Sequence, residues 1–234
     1  MDITGSVTLV TGANRGLGRQ FAQQLVERGA AKVYATSRRP ELVDVPGVEV
    51  LRLDITDPES VAAAAAAAGD VTLLVNNAGI TTRANLVTGD LADVRREMDT
   101  HFFGTLGVVR AFAPVLARNG GGGIVNVLSA LSWFSTDGAN AYAAAKAAAW
   151  SLTNGVRIEL TGQGTQVTGV VLGAADTDMM AGYTGPMSAP ADVVRAALDG
   201  VQAGDWEVLV DDWSRGVKAS LAADPREFYT QLAL

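Results

Sequence analysis

The sequence predicts a doubly wound α/β fold, a seven-stranded and mostly parallel sheet with helices on both faces. Short runs of β-branched and apolar residues alternate with helical segments along the chain. Glycines and helix-starting residues stand between the two kinds of segment. The residues with chemical capacity fall where the apolar runs stop, which is where open α/β sheets bind their ligands. Strands separated by helices are joined by crossovers, so neighbouring strands run parallel and both faces are covered.

The predicted strands are Val7 to Thr11, Lys32 to Thr36, Val48 to Leu53, Val71 to Val75, Gly123 to Leu128, Gln166 to Leu172 and Trp206 to Val210. Between the first two, a glycine-rich turn opens a helix near Gly16. After the third, Thr56, Asp57 and Pro58 supply a cap and a first-turn proline, and the alanine run Ala62 to Ala68 propagates a plain helix. A long helix over about Leu91 to Arg118 is expected to end or bend near Pro114. Another helix carries GANAYAAAKAAAWS, Gly138 to Ser151, and a last one starts near Asp224. No linker or repeat divides the chain, so residues 1–234 are expected to form one domain, with a short lid at about 178–190.

Composition excludes several functions. With 234 residues and 48% apolar content the chain can bury a sizeable core. A formal net charge of -7 with no basic run argues against nucleic acid or an anionic membrane surface as partner. The absence of cysteine removes disulfides and thiolate chemistry, and a single histidine leaves little for a metal, so no metal site is expected. Met1 to Thr11 lacks a signal-like pattern and no apolar run suffices to span a bilayer, so a cytoplasmic protein without a membrane partner is expected.

Tyr142 and Lys146 stand four residues apart, a spacing that stacks them on one helix face. A cation beside a phenol favours the phenolate and pulls its pKa down from about 10, which suits a proton-transferring tyrosine. The turn TGANRGLG, Thr11 to Gly18, spaces Gly12, Gly16 and Gly18 so that backbone approaches a ligand closely, and the helix start offers N–H groups to a pyrophosphate. Where an NAD site places an acidic residue, this chain reads TSRRP, Thr36 to Pro40. Arg38, with Arg15 in the glycine turn and Arg39 beside it, suits a 2′-phosphate, which points to NADP(H).

From about Ile3 to Val210 the chain resembles the single-domain short-chain dehydrogenase/reductases, a family with the Rossmann fold. The resemblance rests on TGANRGLG, on NNAG at Asn76 to Gly79, on Ser129 thirteen residues before the tyrosine, and on YAAAK at Tyr142 to Lys146. It implies that Tyr142 is the general acid/base, that Lys146 lowers its pKa and holds the nicotinamide ribose, and that Ser129 hydrogen-bonds the substrate oxygen. It also implies a cofactor site of Gly12, Asn14, Arg15, Gly16, Leu17 and Gly18 in the turn, and Ser37 and Arg38 after the second strand. Asp54 and Ile55 are expected beside the adenine, Asn76, Ala78 and Gly79 along the cofactor, and Gly173 and Thr177 at the carboxamide, with Tyr142 and Lys146 completing the set.

Two departures stand out. His101 occupies the position where the family commonly has an asparagine, and an imidazole can serve as a relay there. Leu172 replaces the usual proline before Gly173, which is expected to loosen the nicotinamide loop. Met179, Met180, Tyr183 and Met187, with Trp133 and Phe134 opposite, are expected to wall an open substrate cleft. The implied function is an NADP(H)-dependent oxidoreductase acting between a carbonyl and an alcohol. The alternatives are a non-catalytic NADPH-binding sensor or scaffold, and an imine or enone reductase on the same fold. Resemblance also implies a homodimer or homotetramer built on the two long helices around the fifth strand.

Overall fold

The computed structural model describes residues 1–232. Seven strands form one sheet: β1 (Val7–Val10), β2 (Lys32–Ser37), β3 (Glu49–Arg52), β4 (Leu73–Asn76), β5 (Gly122–Val127), β6 (Thr165–Val171) and β7 (Glu207–Leu209). Their order is β3-β2-β1-β4-β5-β6-β7, and every pairing is parallel. The order reverses between β1 and β4, so a crevice opens beyond their carboxyl ends.

Strand alternation divides the core into two layers. Val10, Val75 and Val125 face α1 (Gly16–Glu27) and α6 (Pro190–Ala203), which pack through Phe21, Leu25, Val194 and Leu198. Leu9, Leu74 and Ile124 face the opposite way, against α2 (Pro58–Ala67), α4 (Thr105–Arg118) and α5 (Asn140–Glu159). The alanine-rich α2 begins as expected: the Asp57 carboxylate accepts from the Glu59 N–H at 3.0 Å, with Pro58 in the first turn.

The helical stretch from Leu91 to Arg118 differs from expectation in two ways. It passes through Pro114 without ending: α4 continues to Arg118, because Pro114 and Arg110, whose carbonyl the proline cannot bond, both face solvent. The regular geometry fails earlier instead. After α3 (Leu91–Met98) the chain takes a π-helical turn at Asp99–Gly104 before α4 begins. Ile55 packs against this turn so closely that a Cβ on Gly104 would lie 3.0 Å from its Cγ1. The 28-residue stretch is also long and apolar enough to cross a membrane by composition, contrary to the sequence reading. Its apolar face is occupied by the core, where Val108, Phe112 and Leu116 pack against the sheet and α2.

Two short helices, α7 (Asp212–Ser220) and α8 (Pro225–Gln231), follow the sheet. The expected cap of the last helix is present, Asp224 accepting from the Arg226 N–H at 2.9 Å. Phe228 packs edge-on against Phe134, with ring centroids 5.4 Å apart, and the Ser135 N–H donates to the Tyr229 hydroxyl at 3.1 Å. Helix α8 thus covers the segment that follows Ser129.

Candidate active site

The glycine turn joins β1 to α1 at the crevice. Gly12 and Gly16 take φ of 69° and 53°, a region that disfavours side chains. A Cβ on Gly12 would lie 3.0 Å from the Ala78 backbone, so the turn can sit this close to the end of β4 only with glycine there. Helix α1 starts without a side-chain cap, which leaves its first N–H groups directed into the crevice. Asn14, Arg15, Gly16 and Leu17 line the cleft with Gly12. Gly18 does not: it faces back onto Gly12 and Asn77, where a side chain would collide with the Gly12 carbonyl. Its role is helix-to-strand packing.

Asn76 is also corrected. It is the last residue of β4, and alternation turns its side chain into the sheet, where Nδ2 donates to Asn126 Oδ1 at 2.9 Å. Asn126 donates in turn to Thr153 on α5 at 2.9 Å, so this chain of polar groups fastens α5 to the sheet. Asn77 takes the cleft position instead. Its Nδ2 donates to the Thr11 carbonyl at 2.9 Å, and Thr11 Oγ1 accepts from the Asn77 and Ala78 N–H groups at 2.9 and 3.0 Å. Ala78 and Gly79 line the cleft as expected.

Ser37, Arg38 and Arg39 reach the cleft from the end of β2, and no carboxylate stands among them. Asp54 and Ile55 line the same end, the Asp54 carboxylate accepting from Thr56 Oγ1 at 2.7 Å. Arg15 is less free than its position in the turn implied: Nη1 lies 3.0 Å from the Asp178 carboxylate across the cleft mouth, with both side chains more than half exposed. Thr177 and Gly173 line the far end, with Met179 and Met180 beyond them. The Leu172 position is not loosened. Leu172 is buried with Ala175 and Val193, and the Gly173 N–H donates to Asp211 at 2.7 Å.

Tyr183 and Met187 are part-exposed and do not line the cleft. Trp133 and Phe134 are drawn away from it as well, Trp133 against Trp150 and Phe134 against Trp213 and Phe228. Trp150 on α5 gives Trp133, and α7 and α8 give Phe134, a drier neighbour than the open cleft.

Ser129, Tyr142, Lys146 and His101 all border the cleft. Ser129 follows β5, and its hydroxyl accepts from the Leu131 N–H at 3.1 Å. Lys146 is 5% exposed; Nζ donates to the Val127 carbonyl at 2.9 Å and stands 5.5 Å from the centre of the Tyr142 ring. Burial brings its pKa down to about 8, against a smaller upward pull from the Glu97 carboxylate. The tyrosine behaves opposite to expectation. Burial first, then the Glu97 charge, pushes the phenol pKa above its ordinary value, and the Ser129 hydroxyl pulls it back only in part. In this site the Lys146 ammonium is engaged by the Val127 carbonyl, and burial outweighs any pull it exerts on the phenol.

His101 sits in the π-helical turn, 3% exposed, with its ring edge-on to Tyr142 at 5.1 Å between centroids. Nε2 is 2.9 Å from the Ile80 carbonyl oxygen and 3.2 Å from Glu97 Oε2. Gly79 must be small for this ring: a Cβ there would lie 2.7 Å from Cε1. Burial and the Lys146 charge lower the histidine pKa, while Glu97 and Ile80 oppose the fall. Glu97 was not singled out from sequence, although it stands four residues before His101 on the same helical stretch. Among the described residues no group of three or more His, Asp or Glu side chains is placed to hold a metal.

A parallel sheet with its glycine turn at the switch point, and a serine, tyrosine and lysine gathered at its carboxyl edge, defines an α/β oxidoreductase class. The short chain dehydrogenase model matches residues 6–186, and the chain belongs to that family. It is similar over its full length to a short chain dehydrogenase of Burkholderia cenocepacia solved in complex with NADP, at 39% identity and a TM-score of 0.95, with all of both chains covered. A short-chain dehydrogenase of Streptomyces avermitilis is 27% identical with a TM-score of 0.84, covering 98% of each chain. The NADPH-dependent 1-acyldihydroxyacetone phosphate reductase of Schizosaccharomyces pombe is 34% identical over 189 residues, which is 77% of this chain but 63% of that protein.

Proposed function

We propose that the protein is an NADP(H)-dependent oxidoreductase that interconverts a carbonyl and an alcohol. The observation that carries this is a single cleft with Arg38 and Arg39 at one end and Ser129, Tyr142 and Lys146 at the other. Two relatives support the cofactor, one by its NADP complex and one by its NADPH dependence. The residues fit such a group: glycines with positive φ, an uncapped helix start for a pyrophosphate, and Arg38 and Arg39, which make no ion pair among the described residues, for a 2′-phosphate.

When bound, the dinucleotide would supply the hydride. The Tyr142 phenol donates its proton to the carbonyl oxygen, and its raised pKa keeps that proton in place until charge develops on the oxygen. Ser129 holds the same oxygen and steadies the growing negative charge. The Lys146 ammonium, held by Val127, lies beneath the tyrosine ring and favours the phenolate left behind. Met179 and Met180 give the substrate end an adaptable apolar wall, which suits bulky or varied carbonyls.

The test is NADPH oxidation against a panel of aldehydes, simple ketones, cyclic ketones and aromatic ketones, with NADH beside it. Turnover with NADPH and little with NADH is expected; binding of NADPH without turnover across the panel refutes the catalytic reading. In Arg38→Ala, loss of a charged hydrogen bond weakens NADPH binding about 10- to 100-fold and leaves NADH binding within about twofold. Equal losses for both cofactors would sink the 2′-phosphate assignment.

We also propose self-association through the helices around β5. Phe103 beside α4 and Ile158 on α5 are 57% and 77% exposed, apolar surface that a second copy would cover. Light scattering on the eluting protein is expected to give twice or four times the 24.2 kDa chain mass; a monomer at micromolar concentration overturns it.

A further inference from the structure

Glu97 and Lys146 are the buried side chains of formal charge among the described residues, and the family reading uses only the lysine. Glu97 is wholly enclosed. Its Oε1 accepts from the Thr82 N–H at 2.5 Å, while Oε2 has no aligned hydrogen bond and lies 3.2 Å from His101 Nε2. Burial pushes its carboxyl pKa up, but the close His101 Nε2 and the hydrogen bond from the Thr82 N–H outweigh this and hold it below the ordinary value. It is therefore a carboxylate at neutral pH.

Two oxygens face His101 Nε2, the Ile80 carbonyl and the Glu97 carboxylate, and neither can donate. Nε2 must carry the ring hydrogen. In the neutral imidazole the lone pair is then on Nδ1, which has no hydrogen-bond partner among the described residues, on a ring that borders the cleft against Tyr142. The other titratable groups facing the ring are Tyr142 and Lys146 on α5; the segment after β4 contributes only the Ile80 carbonyl. This is the arrangement of a base oriented by a carboxylate, with its second nitrogen free to take a proton.

We infer that Glu97 and His101 form a buried positioning and proton-relay pair that exchanges the Tyr142 proton with solvent. The pair rests on the proposed oxidoreductase reading. During alcohol oxidation the Tyr142 phenolate takes the substrate hydroxyl proton and becomes a phenol. The phenol and Nδ1 share no direct hydrogen bond, so that proton passes by way of a cleft water to His101 Nδ1, giving an imidazolium whose charge Glu97 offsets, and the imidazolium releases it from Nδ1 back to water. In carbonyl reduction the same proton moves inward and recharges the phenolate. Glu97 acts through His101 and touches no reacting atom.

The chain has one histidine, so the ring can be followed directly. Nitrogen NMR on untagged, histidine-labelled protein without cofactor is expected to show a neutral ring with hydrogen on Nε2. Its titration moves to lower pH in Glu97→Gln, because the carboxylate that favours imidazolium is gone. A ring with hydrogen on Nδ1, or a titration unmoved by Glu97→Gln, overturns the pair. The kinetic arm is the pH dependence of kcat for alcohol oxidation in wild type, Glu97→Gln, His101→Asn and the double variant. Nδ1 must be unprotonated to accept, so the rate falls as pH drops through the histidine titration. In Glu97→Gln this limb shifts to lower pH, and the rate at the wild-type midpoint, normalised to its own plateau, rises about twofold, from half-maximal to near the plateau.

His101→Asn removes the limb, and adding Glu97→Gln to it then changes nothing further in the profile. A purely structural Glu97 lowers the melting temperature and leaves the limb in place, which overturns the relay. If Glu97→Gln does not fold, a His101→Asn profile that overlays wild type overturns it equally. Absence of wild-type turnover across the substrate panel refutes the oxidoreductase reading instead, and the NMR arm still decides the pair.

Discussion

Tyr142→Phe is expected to lower kcat by about 10²- to 10⁴-fold, the ordinary contribution of a placed general acid. NADPH affinity should change by less than about threefold. The substitution removes one oxygen from a ring that packs edge-on against His101, and leaves that packing intact. Because burial and Glu97 raise the phenol pKa, Tyr142 stays protonated through neutral pH in the ligand-free site. Steady-state kinetics with a fluorescence titration of NADPH separates the two quantities. A variant retaining more than about a tenth of wild-type kcat would remove Tyr142 from the proton transfer.

Lys146→Met is expected to cost activity and raise stability together. The buried ammonium has its pKa lowered to about 8 from an ordinary 10.5, which corresponds to roughly 3 kcal/mol against the charged form. Loss of the hydrogen bond to Val127 returns about 1 kcal/mol of this. Methionine fills nearly the same volume without a charge, so the cofactor-free variant should be more stable by about 2 kcal/mol at pH 7. The pH dependence carries a definite sign. Above pH 8 the folded wild type sheds the lysine proton before the unfolded chain does, so wild-type stability rises with pH relative to the variant. The difference is full below about pH 8 and shrinks as pH approaches 10.5. Urea denaturation of both proteins at pH 7 and pH 10 checks it, while kcat falls at least about 100-fold. A variant less stable than wild type at pH 7 would show that the charge is well solvated or paired.

These two predictions expose an exchange of stability for function at α5. A run of alanines makes that helix easy to form, and Ala141, Ala143, Ala145 and Ala149 bury against the neighbouring layers. The close approach of small residues is what encloses Lys146, and enclosure is what lowers its pKa. The buried chain from Asn76 through Asn126 to Thr153 then holds the helix in register with β5. A residue read from sequence as a cofactor contact proves to hold the helix that carries the tyrosine and lysine.

Much of the fold was legible because its signals are local. All seven predicted strands exist, within one or two residues at most of their ends, since β-branched runs bounded by glycines and caps report on the backbone next to them. The glycine turn, the cluster of arginines after β2 and the Tyr142–Lys146 spacing were readable for the same reason. What escaped depended on neighbours distant in sequence. Asn76 and Asn77 differ by one position, and only the end of β4 decides which of them faces the cleft. Trp133 and Phe134 follow Ser129 in sequence, but Trp150 on α5 takes up the first and α7 and α8 take up the second. Glu97 had a visible clue, its four-residue separation from His101, yet nothing local said that both would be buried.

By itself, then, the sequence determined the order and kind of the elements, the positive-φ turn, and which chemical groups lie at strand ends. Those follow from backbone sterics and from side-chain periodicity, which act over a few residues. The tertiary structure alone decided the charge states. Packing from α3, α5 and the segment after β4 removes water around Glu97, His101, Tyr142 and Lys146, and desolvation moves each of their proton affinities by more than sequence spacing could indicate.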